Sequence, residues 1–267
     1  MQPYNLSNYS ALIKNAKLEG YEFIFFDSKI LSNNFSGNIK RSNGLILLRH
    51  DIDADLAAAV KMASVEAKLG IKSTYFLMFR SPCYNLMSRS GQKLASQLIQ
   101  YGHQIGLHYD QGHDEQLAFK DDETFDLIQK QASWIEDILS CQIKTVSFHQ
   151  PSKRILRDGI FCGGLLNTYD KELSKIFNYF SDSNRVFPLW RDFNCNTSHD
   201  DFQNVLSENY PLNIQLLIHP MWWVYDNLKT EEVWNEAILS NLEQMQTQLL
   251  NNEAAYGKRR VFSINYE

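Results

Sequence analysis

Residues 45–53 read LILLRHDID, and residues 55–69, DLAAAVKMASVEAKL, follow almost at once. Four consecutive apolar residues are too few for a helix and read as a strand buried on both faces. The run ends in charged residues; an Ala-rich helical spacing then sets in and stops at Gly70. Strand, polar turn and helix in that order form the unit from which parallel sheets with helical crossovers are built.

The unit recurs along the chain. Residues 73–78 (STYFLM) precede a loop and a helix over 92–101, residues 103–108 (HQIGLH) precede a polar loop and a helix over 123–140, and residues 143–148 (IKTVSF) lead into His149. Segments 165–169, 179–181 and 214–218 (IQLLI) predict further strands, and the spacing over 230–252 predicts a long C-terminal helix. Upstream, Tyr9, Leu12, Ile13 and Ala16 lie at helical spacing, with Ser7 placed as the cap and Gly20 as the stop. The pattern predicts an α/β fold, either a barrel or a doubly wound sheet. Six prolines and twelve glycines are scattered without a linker or a repeat, so we read residues 1–267 as one domain, with 1–42 as an N-terminal extension packed on it.

Composition narrows the function. A chain of 267 residues that is 44% hydrophobic can fill a substantial core. Its net charge of −5, without a basic run, argues against nucleic acid as a partner. The start, MQPYNLSNYSALIKN, lacks the pattern of a secretory signal and no apolar stretch is long enough for a membrane span, so the expected location is cytoplasmic. Cys83, Cys141, Cys162 and Cys195 form no CxxC pair, which predicts reduced, structural thiols rather than a zinc ribbon or a redox site.

Catalytic groups of such folds sit at the carboxyl ends of the strands, where the loops converge. There the sequence places RHDID, HYD, HQPS and HPMWW. Asp51 and Asp53, two apart, project to one face of extended backbone, with His50 and Ile52 on the other. Two carboxylates so placed can divide labour between a metal and a proton; the alternative is that Asp53 or Asp55 merely caps the next helix. His108 offers a neutral nitrogen to a divalent ion, or is a satisfied polar residue; His103, at the far end of its strand, reads as structural. His149 and His219 each end an apolar run, ahead of Pro151 and Pro220.

In that order these motifs resemble the polysaccharide deacetylase family (NodB-homology, carbohydrate esterase type). The resemblance spans about residues 45–220 and implies a distorted (β/α) barrel of about seven strands that removes acetyl groups from sugars with a divalent metal. RHDID resembles the family's paired Asp, one residue longer, which implies Asp51 as base and Asp53 as metal ligand. GHQIGLH resembles the segment bearing the first metal histidine, here His108, and LLIHP resembles the segment bearing His219. The family's second histidine would fall on Gly112, and its arginine is replaced by His149 in FHQPS. The ligand set implied for this chain is Asp53, His108 and His149, with His113 as the competitor of His149. The HD-x-D and FH-x-PS pattern is similar to a divergent branch associated with surface-polysaccharide synthesis.

The resemblance further implies His219 as the acid that protonates the leaving amine, and Arg49 or Arg191 as the partner of Asp51. Asp182 and Trp190 are expected in the cleft wall, and Trp222 or Trp223 as a sugar-stacking floor. The expected cofactor is a divalent ion, zinc foremost, and the expected substrate an acetylated amino sugar or glycan precursor. Two rivals stand beside this: a metal-free carbohydrate-binding or assembly protein on the same fold, and a cyclic-amide hydrolase.

Overall fold

The computed structural model describes residues 4–31, 44–112, 121–185, 213–226, 228–253 and 256. Its centre is β2, Gly44–Ile52, buried along its whole length, so the predicted LILL strand extends through Arg-His-Asp-Ile. The strands β1 (Tyr21–Ile24), β3 (Thr74–Leu77), β4 (Gln104–Asp110), β5 (Thr145–His149), β6 (Leu166–Asn167), β7 (Asn178–Ser181) and β8 (Ile214–Ile218) complete one sheet. Every pairing is parallel. The order is β6-β5-β4-β3-β2-β8-β7, with β1 also on β2, so seven strands make a distorted half-barrel of the predicted kind. Among the described residues β6 and β7 are its unpaired ends. Across that opening Gln215 Nε2 donates to the carbonyl of Thr168 at 3.2 Å.

The helices are α1 (Leu6–Leu18), α2 (Leu56–Leu69), α3 (Arg89–Gln100), α4 (Asp121–Leu139), α5 (Lys153–Asp158), α6 (Lys171–Ile176), α7 (Pro220–Val224) and α8 (Thr230–Asn252). Asp55 caps α2 by accepting from the Ala57 N–H at 2.8 Å, and Gly70, at φ 66°, ends it in the left-handed region that glycine enters without strain. One expectation at the N-terminus is corrected. The cap of α1 is Asn5, which takes the Asn8 N–H at 2.7 Å, rather than Ser7. Within residues 1–42, Tyr21–Ile24 form β1, which joins the sheet beside the first half of β2. Among the described residues no helix is long and apolar enough to cross a membrane. Cys83, Cys141 and Cys162 are free thiols; Cys195 lies outside the described residues.

The sheet has two unlike faces because successive residues of a strand alternate. Ile46 and Leu48 of β2 pack outward with α1 and with Trp223 of α7. Leu45 and Leu47 pack inward with Phe26, Phe76, Leu166 and Phe177, plugging the amino end of the half-barrel. Gly106 of β4 is required there, since a Cβ would lie 2.6 Å from the Phe76 ring. Beyond this apolar plug the inward positions of β2, β4, β5 and β8 become Arg49, Asp51, His108, Ser147, His149 and His219, all toward the carboxyl ends of their strands or just past them.

Candidate metal centre

Asp53 stands just past the end of β2, in a turn held by the β3–α3 loop on one side and the C-terminal helix on the other. Tyr84 Oη donates to the carbonyl of Ile52 at 2.9 Å, Ser81 Oγ to that of Asp53 at 3.2 Å, and Asn241 Nδ2 of α8 to that of Ala54 at 2.7 Å. Three successive carbonyls, two held by the β3–α3 loop and one by the C-terminal helix, fix where the Asp53 carboxylate points. Because Asp55 serves as the helix cap, Asp53 is left for the inner face.

His108 Nε2 lies 3.0 Å from Asp53 Oδ1 and His149 Nδ1 lies 3.2 Å from the same oxygen. Asp53, His108 and His149 thus bring one oxygen and two nitrogens within 4.8 Å of one another. One carboxylate and two imidazoles meeting at a point fit a divalent ion such as zinc, and three protein ligands leave the further position that a hydrolytic centre needs. Burial pushes the Asp53 carboxyl up, but the bonds from His108 and His149 outweigh it and hold it well below the usual carboxylate range. His113, the competitor of His149, lies outside the described residues.

Asp51 is buried beside this group. Arg49 Nε donates to its Oδ1 at 2.8 Å and Arg49 Nη2 to its Oδ2 at 2.6 Å, a two-pronged pair between residues on one face of one strand. Desolvation raises the Asp51 carboxyl, yet the Arg49 charge brings it below its ordinary value, so it stays ionised. Arg49 itself is fully buried, bonded to Thr168 Oγ1 at 3.0 Å and the Tyr169 hydroxyl at 3.1 Å, with its guanidinium 4.9 Å from the Tyr169 ring centre. Its donors reach Asp51, the partner expected for Arg49 or Arg191, and the residues just past β6. Arg191 lies outside the described residues.

His219 follows β8 and precedes Pro220, which opens α7. Its Nε2 is 3.8 Å from Asp53 Oδ2, and its Nδ1 is 2.6 Å from Asp182 Oδ1. Desolvation disfavours its charge, but the Asp182 carboxylate and its hydrogen bond prevail and push the imidazole up to about 9. Asp182 also takes the His219 backbone N–H and, at 2.8 Å, the Trp223 Nε1–H.

No family model and no curated protein matches the chain. The fold is similar to that of solved deacetylases. Matches include the deacetylase PplD of Streptococcus pyogenes in complex with acetate (13% identity, 76% of this chain, 88% of that one, TM-score 0.46). The peptidoglycan deacetylase PdaC of Bacillus subtilis matches at 13% identity over 76% of this chain and 84% of its own, with a TM-score of 0.38. A CE4 family pseudoenzyme from Bacillus anthracis matches at 17% identity over 74% of this chain, with a TM-score of 0.37. This chain spans 60% of that pseudoenzyme's length.

The remaining expected residues separate. Asp182 was expected in the cleft wall but is fully buried behind His219, because a buried carboxylate needs donors and the imidazole, a backbone N–H and the indole supply them. Trp222 was expected as a sugar floor but is 6% exposed in the outer core, edge-on to Trp234 at 6.1 Å. Trp223 is fully buried against Tyr4 and Tyr9. Both are buried in the outer core because PMWW lies in the short helix α7 rather than in an open loop. Trp190 lies outside the described residues. Sequence reading missed Ser147, Thr168 and Tyr169; the alternation Thr145, Ser147, His149 in β5 was the signal that pointed to the first of them.

Proposed function

We propose that the protein is a metal-dependent hydrolase that removes an acetyl, or more generally an N-acyl, group from an amino sugar or glycan precursor of surface-polysaccharide synthesis. The observation that carries this reading is the meeting of Asp53, His108 and His149, from three strand ends, beside an ionised Asp51 and a charged His219. Asp53, His108 and His149 hold the ion, and zinc suits their donor types. When bound, such an ion polarises the acyl carbonyl and brings the pKa of its water to about 7.

The chain's own residues handle the protons. Asp51 accepts the proton of the attacking water on Oδ2, an oxygen that receives one guanidinium bond from Arg49 and keeps a lone pair free. An amide anion is far too poor a leaving group, so the departing nitrogen must be protonated, and His219 gives it the Nε2 proton while Asp182 holds Nδ1. The bidentate Arg49 contact keeps Asp51 from rotating during the transfer. An aromatic sugar floor is not part of this reading, since Trp222 and Trp223 face the core.

The test is metal analysis of protein purified without chelator, followed by acetate release from N-acetylated amino sugars before and after chelation. Near-stoichiometric metal, with turnover that chelation removes and zinc restores, supports the hydrolase. Sugar binding without metal uptake or acetate release overturns it in favour of a metal-free binding protein.

A further inference from the structure

Ser147 has no part in the steps above, yet it touches two of their residues. It is fully buried on the inner face of β5, directly opposite His108 in the β4–β5 register. Its Oγ is 2.7 Å from His108 Nδ1 and 3.3 Å from Asp51 Oδ1. A hydroxyl has one hydrogen to give and can accept at its lone pairs, whereas an ionised carboxylate only accepts. For His108 to turn a lone pair on Nε2 toward a cation beside Asp53, its hydrogen must sit on Nδ1. That N–H then donates to Ser147 Oγ, and the hydroxyl hydrogen is left for Asp51. Both bonds thereby acquire a fixed direction.

We infer that Ser147 is a positioning residue of the metal centre: it orients the His108 ring so that Nε2 faces the cation and ties that ring to Asp51. The inference rests on the metal-binding reading proposed above and deepens it. No nearby carboxylate replaces the hydroxyl as it stands, because the closest Asp51 oxygen, Oδ2, is 3.6 Å from His108 Nδ1, outside hydrogen-bond range. The strand itself does not depend on this contact. Val146 and Phe148, on either side of Ser147, pack into the opposite, helix-facing core, and β5 is paired with β4 and β6.

Apo-protein titrated with zinc against a chromogenic chelator gives the first readout. Ser147→Ala lowers zinc affinity roughly 10–100-fold, the range for loss of a group that supports a metal-bound histidine. Ser147→Thr, which keeps the hydroxyl, restores most of it. The second readout is specific to the hydrogen bond: in zinc-loaded protein the His108 Nδ1 proton resonance is protected from solvent exchange in the parent and in Ser147→Thr, and loses that protection in Ser147→Ala. Thermal melting shows that each variant is folded; if Ser147→Thr is not, the proton resonance in Ser147→Ala decides. Zinc binding by Ser147→Ala equal to that of the parent, or an Nδ1 proton still protected, overturns the role of Ser147 and leaves the hydrolase standing. A parent protein that takes up no zinc overturns both.

Discussion

His50 and Asp51 are neighbours in sequence, but they point to opposite faces of β2, and each borders a cluster of one carboxylate with two imidazoles. On the helix side, Glu66 of α2 takes His50 Nε2 at 2.7 Å and the Tyr9 hydroxyl on Oε1, with Ser73 Oγ at 2.6 Å and the Tyr75 hydroxyl at 2.9 Å on Oε2. His103 joins through Ser73 Oγ at 2.8 Å and the Ala63 carbonyl at 3.2 Å. On the inner side, Asp53 offers one oxygen to two imidazoles, and its side chain is 17% exposed where Glu66 has none. The same donor types therefore serve different ends. A carboxylate whose lone pairs are filled by four donors cements α1, α2, β2 and β3, whereas one left short of donors at an open mouth is fit for an ion.

The sharpest way to break this contrast is to remove each carboxylate in turn. Asp53→Ala abolishes metal retention, read by metal analysis after gel filtration, with little change in melting temperature. Glu66→Ala retains the metal but loses about 3–5 kcal/mol of stability in denaturant, because His50, His103 and three hydroxyls are left around an empty buried site. If Glu66→Ala strips the metal as completely as Asp53→Ala, the two clusters are not distinct. Acid sharpens the point. Burial raises the Glu66 carboxyl, but the His50 charge and the hydrogen bonds win and lower it from 4.5 to about 2. A folded value below the unfolded one means stability that is present above about pH 4.5 and is lost as pH falls toward 2; Glu66→Gln flattens that flank of the melting profile.

A smaller effect separates binding from chemistry within the inner cluster. Asp51→Asn keeps the metal and lowers kcat by about 10²–10⁴, the usual worth of a positioned base, read by acetate release. Loss of metal together with turnover would remove the division of labour between Asp51 and Asp53. The smallest effect concerns the acid. His219 is raised from 6.5 to about 9, so it is charged at neutral pH and loses its proton as pH rises through about 9. Asp182→Asn removes the carboxylate responsible, and the alkaline limb of the rate profile moves to lower pH while metal content holds. An unmoved limb would show that His219 is not the group that limits activity in base.

Much of the inner cluster was legible because strand alternation is local. RHDID alone puts Arg49 and Asp51 on one face and His50 on the other, and the spacing before α2 offers Asp53 and Asp55 as rivals for the cap. Position then decides between them, since Asp55 lies next to the first helical residue and takes the Ala57 N–H. The choice between Arg49 and Arg191 was not legible, because both are arginines that suit a carboxylate and a shared strand face does not by itself fix a side-chain contact; in the structure the Arg49 guanidinium meets Asp51. Trp222 and Trp223 misled for a related reason. A polar strand end followed by two indoles has the composition of an exposed rim, and nothing local reveals that α7 rotates both into the core. Short β1 escaped notice because four residues, Tyr21–Ile24, carry too little periodicity to stand out beside α1.

By itself the sequence determined the order of the strands from β2 onward and of the longer helices, the glycine that ends α2, and the side of each strand from which Asp51, His108, His149 and His219 project. These are set by backbone geometry over a few residues. Only the tertiary structure decided that Asp53 meets His108 and His149, 55 and 96 residues further on, and that Glu66 is sealed while Asp53 is not. Such meetings depend on sheet register and curvature, which arise from the packing of the whole chain.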